Sequence, residues 1–413
     1  MPDAQRTAPS PTGRSLRRRL DESLEQRLFQ EAVSGPGGLR RRADLPHVLA
    51  WTLALPVHLL TLAALGGVVV LLAADVWTAD IAALALLGVA WVGRPRLGSM
   101  RAERRKSLTV SREAAPQLWS LMDAVAAELG TRGPDLVVVD RRFNASYARV
   151  GLRRRVVLRI GLPLWVSLDE QERVALLAHE FGHGVNGDVR RGLWLGVALS
   201  SLAEWWYFLT PSPGRVRVRI RGGLDVLFTL VAETVQRLLA VLAELYHRLL
   251  HWLTRHGSRR AEYLADSFMV RLAGPGGAAG LVEALRLGTA FETLVQQRTM
   301  AARRPVQRSR SRRNEAAGGA EPASEVTPPD LWTQLGTYVR SIPAEERTRR
   351  IVASQLRHDD FDGTHPPAHL RLAYVRSLPE GEPAVVLDPA ASEAIDAELR
   401  PAGVSIAAEL IRR

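Results

Sequence analysis

The segment His179-Glu180-Phe181-Gly182-His183 holds the residues best suited to chemistry. On a helix, two histidines four apart project from one face, so both imidazoles can reach a single tetrahedral cation. Glu180 falls one residue after the first histidine, at the edge of that face. There its carboxylate can take a proton from water rather than bind the metal. A catalytic zinc needs a third protein ligand and an open fourth position. Glu262, within Ser258-Arg259-Arg260-Ala261-Glu262-Tyr263-Leu264-Ala265-Asp266, is the best candidate. Asp266 lies one turn further on the same face, placed to accept a hydrogen bond from a ligand imidazole and fix its tautomer. A Glu and an Asp four apart usually mark a solvated face, so this pair gains force only beside the histidines. The chain has no cysteine, which excludes thiolate ligands and disulfides and leaves the redox compartment undetermined. The expectation is one zinc per chain, on His179, His183 and Glu262, with Glu180 as general base.

These residues need rigid supports. Ser167-Leu168-Asp169-Glu170 matches a capping box and opens a helix through Val174, Leu177, Ala178 and Phe181 that ends near Gly184–Gly187. A second helix follows Ser258 and ends near Gly274-Pro275. An amphipathic helix is expected over Ser111–Gly130, then short strands at Leu136–Asp140, Ala145–Val150 and Val156–Ile160. Leu331–Leu356 reads as helical, followed by a His-Pro loop at Gly363–Pro367 and a helix near Ala368–Leu378. The fold class is mostly α with a small antiparallel sheet, an α+β arrangement.

Hydrophobic residues make up 46% of 413, which fits a folded chain with a sizeable core. The net charge of +12 comes almost wholly from arginine, since Lys106 is the only lysine. No nucleic-acid signature accompanies the arginines, and no nucleic-acid partner is expected. Val48–Ala74 contains no charged residue over 27 positions, enough to cross a bilayer core of roughly 30 Å. A second apolar stretch runs from Ile81 to Gly93, so residues 46–96 read as a membrane hairpin with Asp75 and Asp80 at its tip. Arg40–Arg42 and the cluster from Arg94 to Lys106 flank it. By the positive-inside rule both flanks, and the soluble part with them, face the cytoplasm, as expected for a multi-pass protein of the cell membrane. Gly192–Leu209 and Leu224–Leu253, within an apolar insert at 192–254, are left open as spans. Residues 1–45 read as a basic segment with a short helix near Leu16–Val33. Residues 107–300 form the catalytic core, 303–329 a disordered linker and 330–380 a helical completion of the core. The tail, 381–413, carries no functional signal.

The order of apolar hairpin, HExxH, apolar helical insert and Glu-x-x-x-Asp resembles the HtpX-type membrane zinc peptidases, related to the CAAX prenyl proteases. The likeness covers roughly residues 45–375. It implies a gluzincin-like peptidase domain behind a membrane hairpin. His179, Glu180 and His183 match the family's ligand, base and ligand; Glu262 matches its third ligand, and Asp266 the acid one turn on. It also implies two further site residues. Asn144 in Phe143-Asn144-Ala145 matches an element before the substrate-holding edge strand, and His365 in Thr364-His365-Pro366-Pro367 matches a His-Pro element near the reacting carbonyl. The reaction implied is hydrolysis of peptide bonds in a protein or peptide substrate, by a chain seated in a lipid bilayer. Two rivals remain: a membrane scaffold with a structural zinc, and an arginine-driven membrane-surface or nucleic-acid binder in which the metal motif is accidental.

Overall fold

The computed structural model describes residues 11–34, 45–74, 76–92, 94, 98–151, 153–186, 188–210, 223–312, 330–357 and 365–412. The chain is mostly helical around one small sheet. Helices α1 (Pro11–Ser34), α2 (Leu45–Leu72), α3 (Trp77–Val92) and α4 (Met100–Lys106) precede strand β1 (Leu108–Val110), helix α5 (Pro116–Glu128) and strands β2 (Leu136–Asp140), β3 (Ala145–Val150) and β4 (Arg155–Gly161). The strand order is β1-β2-β4-β3.

The sheet is mixed, which corrects the expectation of an antiparallel one: β2 and β4 run parallel, and the other pairs antiparallel. The reason is local. β3 folds back onto β4 through a turn with Gly151 and Arg154 at positive φ, so β4 enters between β3 and β2 and leaves β3 at the edge. Alternation does the rest. Val137, Val139, Leu158 and Ile160 face the main core, while Leu136, Val138, Val150 and Val157 meet Met100 of α4 on the other face.

After the short helix α6 (Leu162–Val166) comes the central helix α7 (Glu170–Asn186). Its cap lies two residues beyond the expected capping box. Ser167 instead closes α6, donating its hydroxyl to the Pro163 carbonyl at 2.7 Å. The Asp169 carbonyl accepts the first helical bond, from the Arg173 amide, and Glu172 reaches back to the Asp169 amide at 2.9 Å. α7 is buried along nearly its whole length, against α5, β3 and the long helix α9 (Gly223–Ala284), which follows α8 (Asp188–Leu209). α9 breaks at Gly274, whose φ of 79° only glycine adopts without strain, and resumes beyond Pro275.

Helix α10 (Gly288–Arg312) continues through the first ten residues of the expected linker, and 313–329 lie outside the described residues. Helices α11 (Asp330–Arg340), α12 (Ala344–Arg357), α13 (Ala368–Ser377) and α14 (Pro389–Arg412) complete the chain. The tail is structural. Glu398 on α14 accepts the Gln117 and Leu118 amides at the start of α5, and Arg173 of α7 donates to Ser392 and Asp396. Helix α1 seats Ala32 against Tyr263 and Tyr374, and its Glu31 pairs with the buried Arg260 at 2.7 Å.

Helix α2 is 28 residues long and apolar enough to cross a bilayer, the one helix among the described residues that is. It pairs with the 16-residue α3. Its small residues Ala50, Ala54, Val57 and Ala64 are buried, whereas Leu55, Leu59, Leu60, Leu62 and Val69 point outward.

Candidate metal centre

Three elements meet at the site. α7 presents His179 and His183 one turn apart, and the Asp169–Glu172 cap fixes the register of that face. α9 crosses α7 at Gly182, where a Cβ would lie 2.9 Å from the Phe268 ring and 3.2 Å from the Ala265 Cα. That close approach brings Glu262 and Asp266 onto the histidines. α13 supplies Arg371, and the segment before it supplies His365.

The donor atoms form a tight triangle. His179 Nε2 and His183 Nε2 stand 3.2 Å apart, and the Glu262 carboxylate oxygens lie 3.3 Å and 3.4 Å from them. A tetrahedral zinc with donors at 2.0–2.1 Å requires edges of roughly 3.3–3.4 Å, so these three fit a zinc. They are the only group of three or more metal-ligating side chains so clustered among the described residues.

The electrostatics favour a cation at this point. Burial works against a charged His179, but hydrogen bonds to Asp266 and Glu262 overcome it and push its pKa up to about 9. Burial likewise opposes an ionised Glu262, yet the charges of His183 and His365 hold its carboxyl well below the usual range. Asp266, fully buried, is held down by the Arg371 guanidinium and a hydrogen bond from His179 despite its burial. Its Oδ1 sits 3.3 Å from His179 Nδ1, which turns Nε2 toward the triangle.

Arg371 is the residue that sequence reasoning missed. Its guanidinium grips Asp266 with two bonds, at 2.9 Å and 2.6 Å, and its Nη2 comes within 3.5 Å of His179 Nδ1. A buried acid aimed at a ligand imidazole needs such a partner. The position six residues after His365 gave no signal among so many arginines.

Glu180 is buried and lines the same cavity of about 350 Å³ as His179, His183, Asn144, His365 and Arg371. His365 Nδ1 approaches Glu262 Oε2 at 2.7 Å. Asn144 turns its side-chain oxygen to the Ala145 amide at 2.9 Å, and its carbonyl accepts the Gly161 amide. Since Asn144 and Gly161 form a hydrogen-bonded pair, alternation aims the backbone groups of Ala145, Tyr147 and Arg149 away from β4, toward the open edge. Ala145, Ser146 and Tyr147 also line the cavity.

Residues 112–378 match the family model Peptidase family M48. The chain belongs to that family. The matched stretch holds every residue described at the site, with the hairpin and the tail outside it. The chain is 26% identical to Protease HtpX of Pseudomonas entomophila over 173 residues, covering 41% of this chain and 55% of that protein. It is 25% identical to Protease HtpX homolog 1 of Saccharolobus solfataricus over 154 residues, 37% of this chain and 49% of that one. It thus spans about half the length of these relatives. No solved structure matches it. Peptidase family M48 is in general zinc-dependent, in keeping with the donor set found here.

Proposed function

We propose that this chain is a membrane-anchored zinc endopeptidase that cuts extended segments of protein. One observation carries the reading: His179 and His183, which form a zinc-sized triangle with Glu262, line a cavity together with the Glu180 carboxylate and the β3 edge strand. The three side chains hold the metal, and Asp266 and Arg371 hold His179 in place. Zinc, when bound, supplies Lewis acidity toward the scissile carbonyl and lowers the pKa of a bound water to about 7.

The chain's own groups do the remainder. A substrate strand adds to the outward backbone groups of β3, which keeps the bond to be cut beside α7. Glu180 takes a proton from the attacking water and passes it to the leaving amine as the C–N bond breaks. His365, 40% exposed and lining the cavity, is assigned as the donor to the developing oxyanion, a contribution of roughly 3 kcal/mol. Asn144 ends the loop before β3 and sets where the substrate strand begins. Three candidate ligands among the described residues, with the Glu180 carboxylate beside them as base, favour catalysis over a structural zinc.

The hairpin of α2 and α3 anchors this domain in the bilayer, as its outward leucines and valines suit. The arginines around it orient the domain to the cytoplasm.

Casein cleavage by the purified protein, with and without chelator, tests the reading alongside Glu180→Gln. The expected result is full loss of cleavage in both, with Glu180→Gln still binding one zinc. Cleavage retained by Glu180→Gln would refute the mechanism.

A further inference from the structure

The cavity has an apolar end that the hydrolytic chemistry does not use. Leu176 stands on α7 one turn before His179 and Glu180, on the same face, and lines the cavity with them. Gly280 of α9 packs against the Glu172 side chain, so Leu281, Val282 and Leu285 stand over the first half of α7. Phe143, stacked on Phe291 with centroids 6.0 Å apart, borders the same end just before β3. At the other end Tyr147 packs against Gly184, beyond the second histidine. β3 therefore runs along the cavity from an apolar wall to the donor triangle.

We propose that Leu176, Leu281, Val282, Leu285 and Phe143 form a specificity pocket for a large apolar side chain, of leucine, methionine or phenylalanine size, next to the bond that is cut. This rests on the peptidase reading above. A substrate strand on β3 that places its carbonyl at the donor triangle must send a neighbouring side chain toward this wall. None of the five side chains carries a polar group, so a basic side chain buried among them would lose its hydration without a partner. Arg286 also lines the cavity, and its charge further disfavours lysine or arginine. Leu285, like Phe143, is only half-buried, so it can change size at less cost to the core than Leu176, Leu281 or Val282.

The test uses the full-length zinc-loaded protein and matched peptides that carry leucine or alanine at the flanking position enriched in a cleavage-site profile. The wild type is expected to enrich leucine, methionine or phenylalanine there and to cleave the alanine peptide with kcat/KM lower by about tenfold or more. Leu285→Ala should move the preference toward tryptophan, and Leu285→Trp toward alanine and valine. Opposite shifts of this kind cannot come from a general loss of folding. Glu180→Gln supplies a readout without turnover: fluorescence anisotropy should show the alanine peptide binding about tenfold more weakly. Equal kcat/KM for the two peptides, or a preference for a charged residue, would overturn the pocket. An inert zinc-loaded wild type would instead sink the peptidase reading, and anisotropy of a leucine-rich against an alanine-rich peptide on Glu180→Gln, which needs no cleavage profile, would still decide the pocket: equal binding would overturn it.

Discussion

The metal centre and the hairpin bury opposite kinds of side chain. Around the triangle the interior holds charges, and each is met: Arg371 by Asp266, Asp266 by His179 as well, and Glu262 by both ligand histidines and His365. In the hairpin the buried residues are small, Ala50, Ala54, Ala64, Ala83 and Ala90 among them, and most of the large ones face outward, while Leu195 and Leu202 of α8 pack against α2. The peptidase domain does the reverse with its large apolar residues, burying Trp165, Phe181 and Tyr374. One region turns its large apolar side chains inward around paired charges. The other turns its leucines and valines outward.

Removing a partner from the buried charge network should do the most damage. Asp266→Ala leaves the Arg371 guanidinium, 6% exposed, without its carboxylate. A loss of about 3–5 kcal/mol is expected by thermal or denaturant unfolding, together with zinc affinity lower by about 10–100-fold. A smaller effect, of opposite sign, belongs to Glu172. Burial is the largest influence on it and raises its pKa to about 7. The folded chain thus keeps a proton that the unfolded chain releases near 4.5, and stability from this group is lost as pH rises from about 4.5 to about 7. Glu172→Gln should flatten that slope and raise stability at pH 8 by up to about 3 kcal/mol relative to wild type, read from melting temperatures of both proteins across pH.

In the apolar bundle the same logic inverts. Ala54→Leu should cost about 1–3 kcal/mol by overpacking a fully buried position, whereas Leu60→Ala on the outer face should leave unfolding in detergent nearly unchanged. If Leu60→Ala proved the worse of the two, the outward face would be a protein contact and not a lipid one. The smallest effect is expected at Arg237, paired with Glu233 on the exposed face of α9. Arg237→Ala should change stability by less than about 0.5 kcal/mol in the same melts.

Strands β2 and β3 have the bounds that Val-rich alternation implies, and α13 begins where the His-Pro loop ends. Periodicity is local, so it survives in sequence. What depends on distant partners does not. Nothing near Pro163 announces that α6 would take Ser167 for itself and shift the cap to Asp169. The three-residue β1 exists because β2 offers it an edge, and a triplet has too little pattern to read. Arg371 differs from its many neighbours only through Asp266, 105 positions earlier. Glu398 looks like any surface acid until α5 presents its amides. At the site, the ligand spacing on α7 was legible because helical geometry dictates it. Glu262 stood out as a third-ligand candidate through Asp266 one turn on and through the resemblance, but the close approach at Gly182 that brings it to the histidines was not legible.

The claim beneath all of this is that two imidazoles of α7 and one carboxylate of α9 hold the same ion. X-ray absorption at the zinc edge of the purified protein tests it most directly, alongside Glu262→Ala. The wild type should show only nitrogen and oxygen neighbours at about 2.0–2.1 Å, two of them imidazoles, with one zinc per chain. Glu262→Ala should lose the metal or one oxygen neighbour. An unchanged zinc spectrum and content in Glu262→Ala would contradict the account.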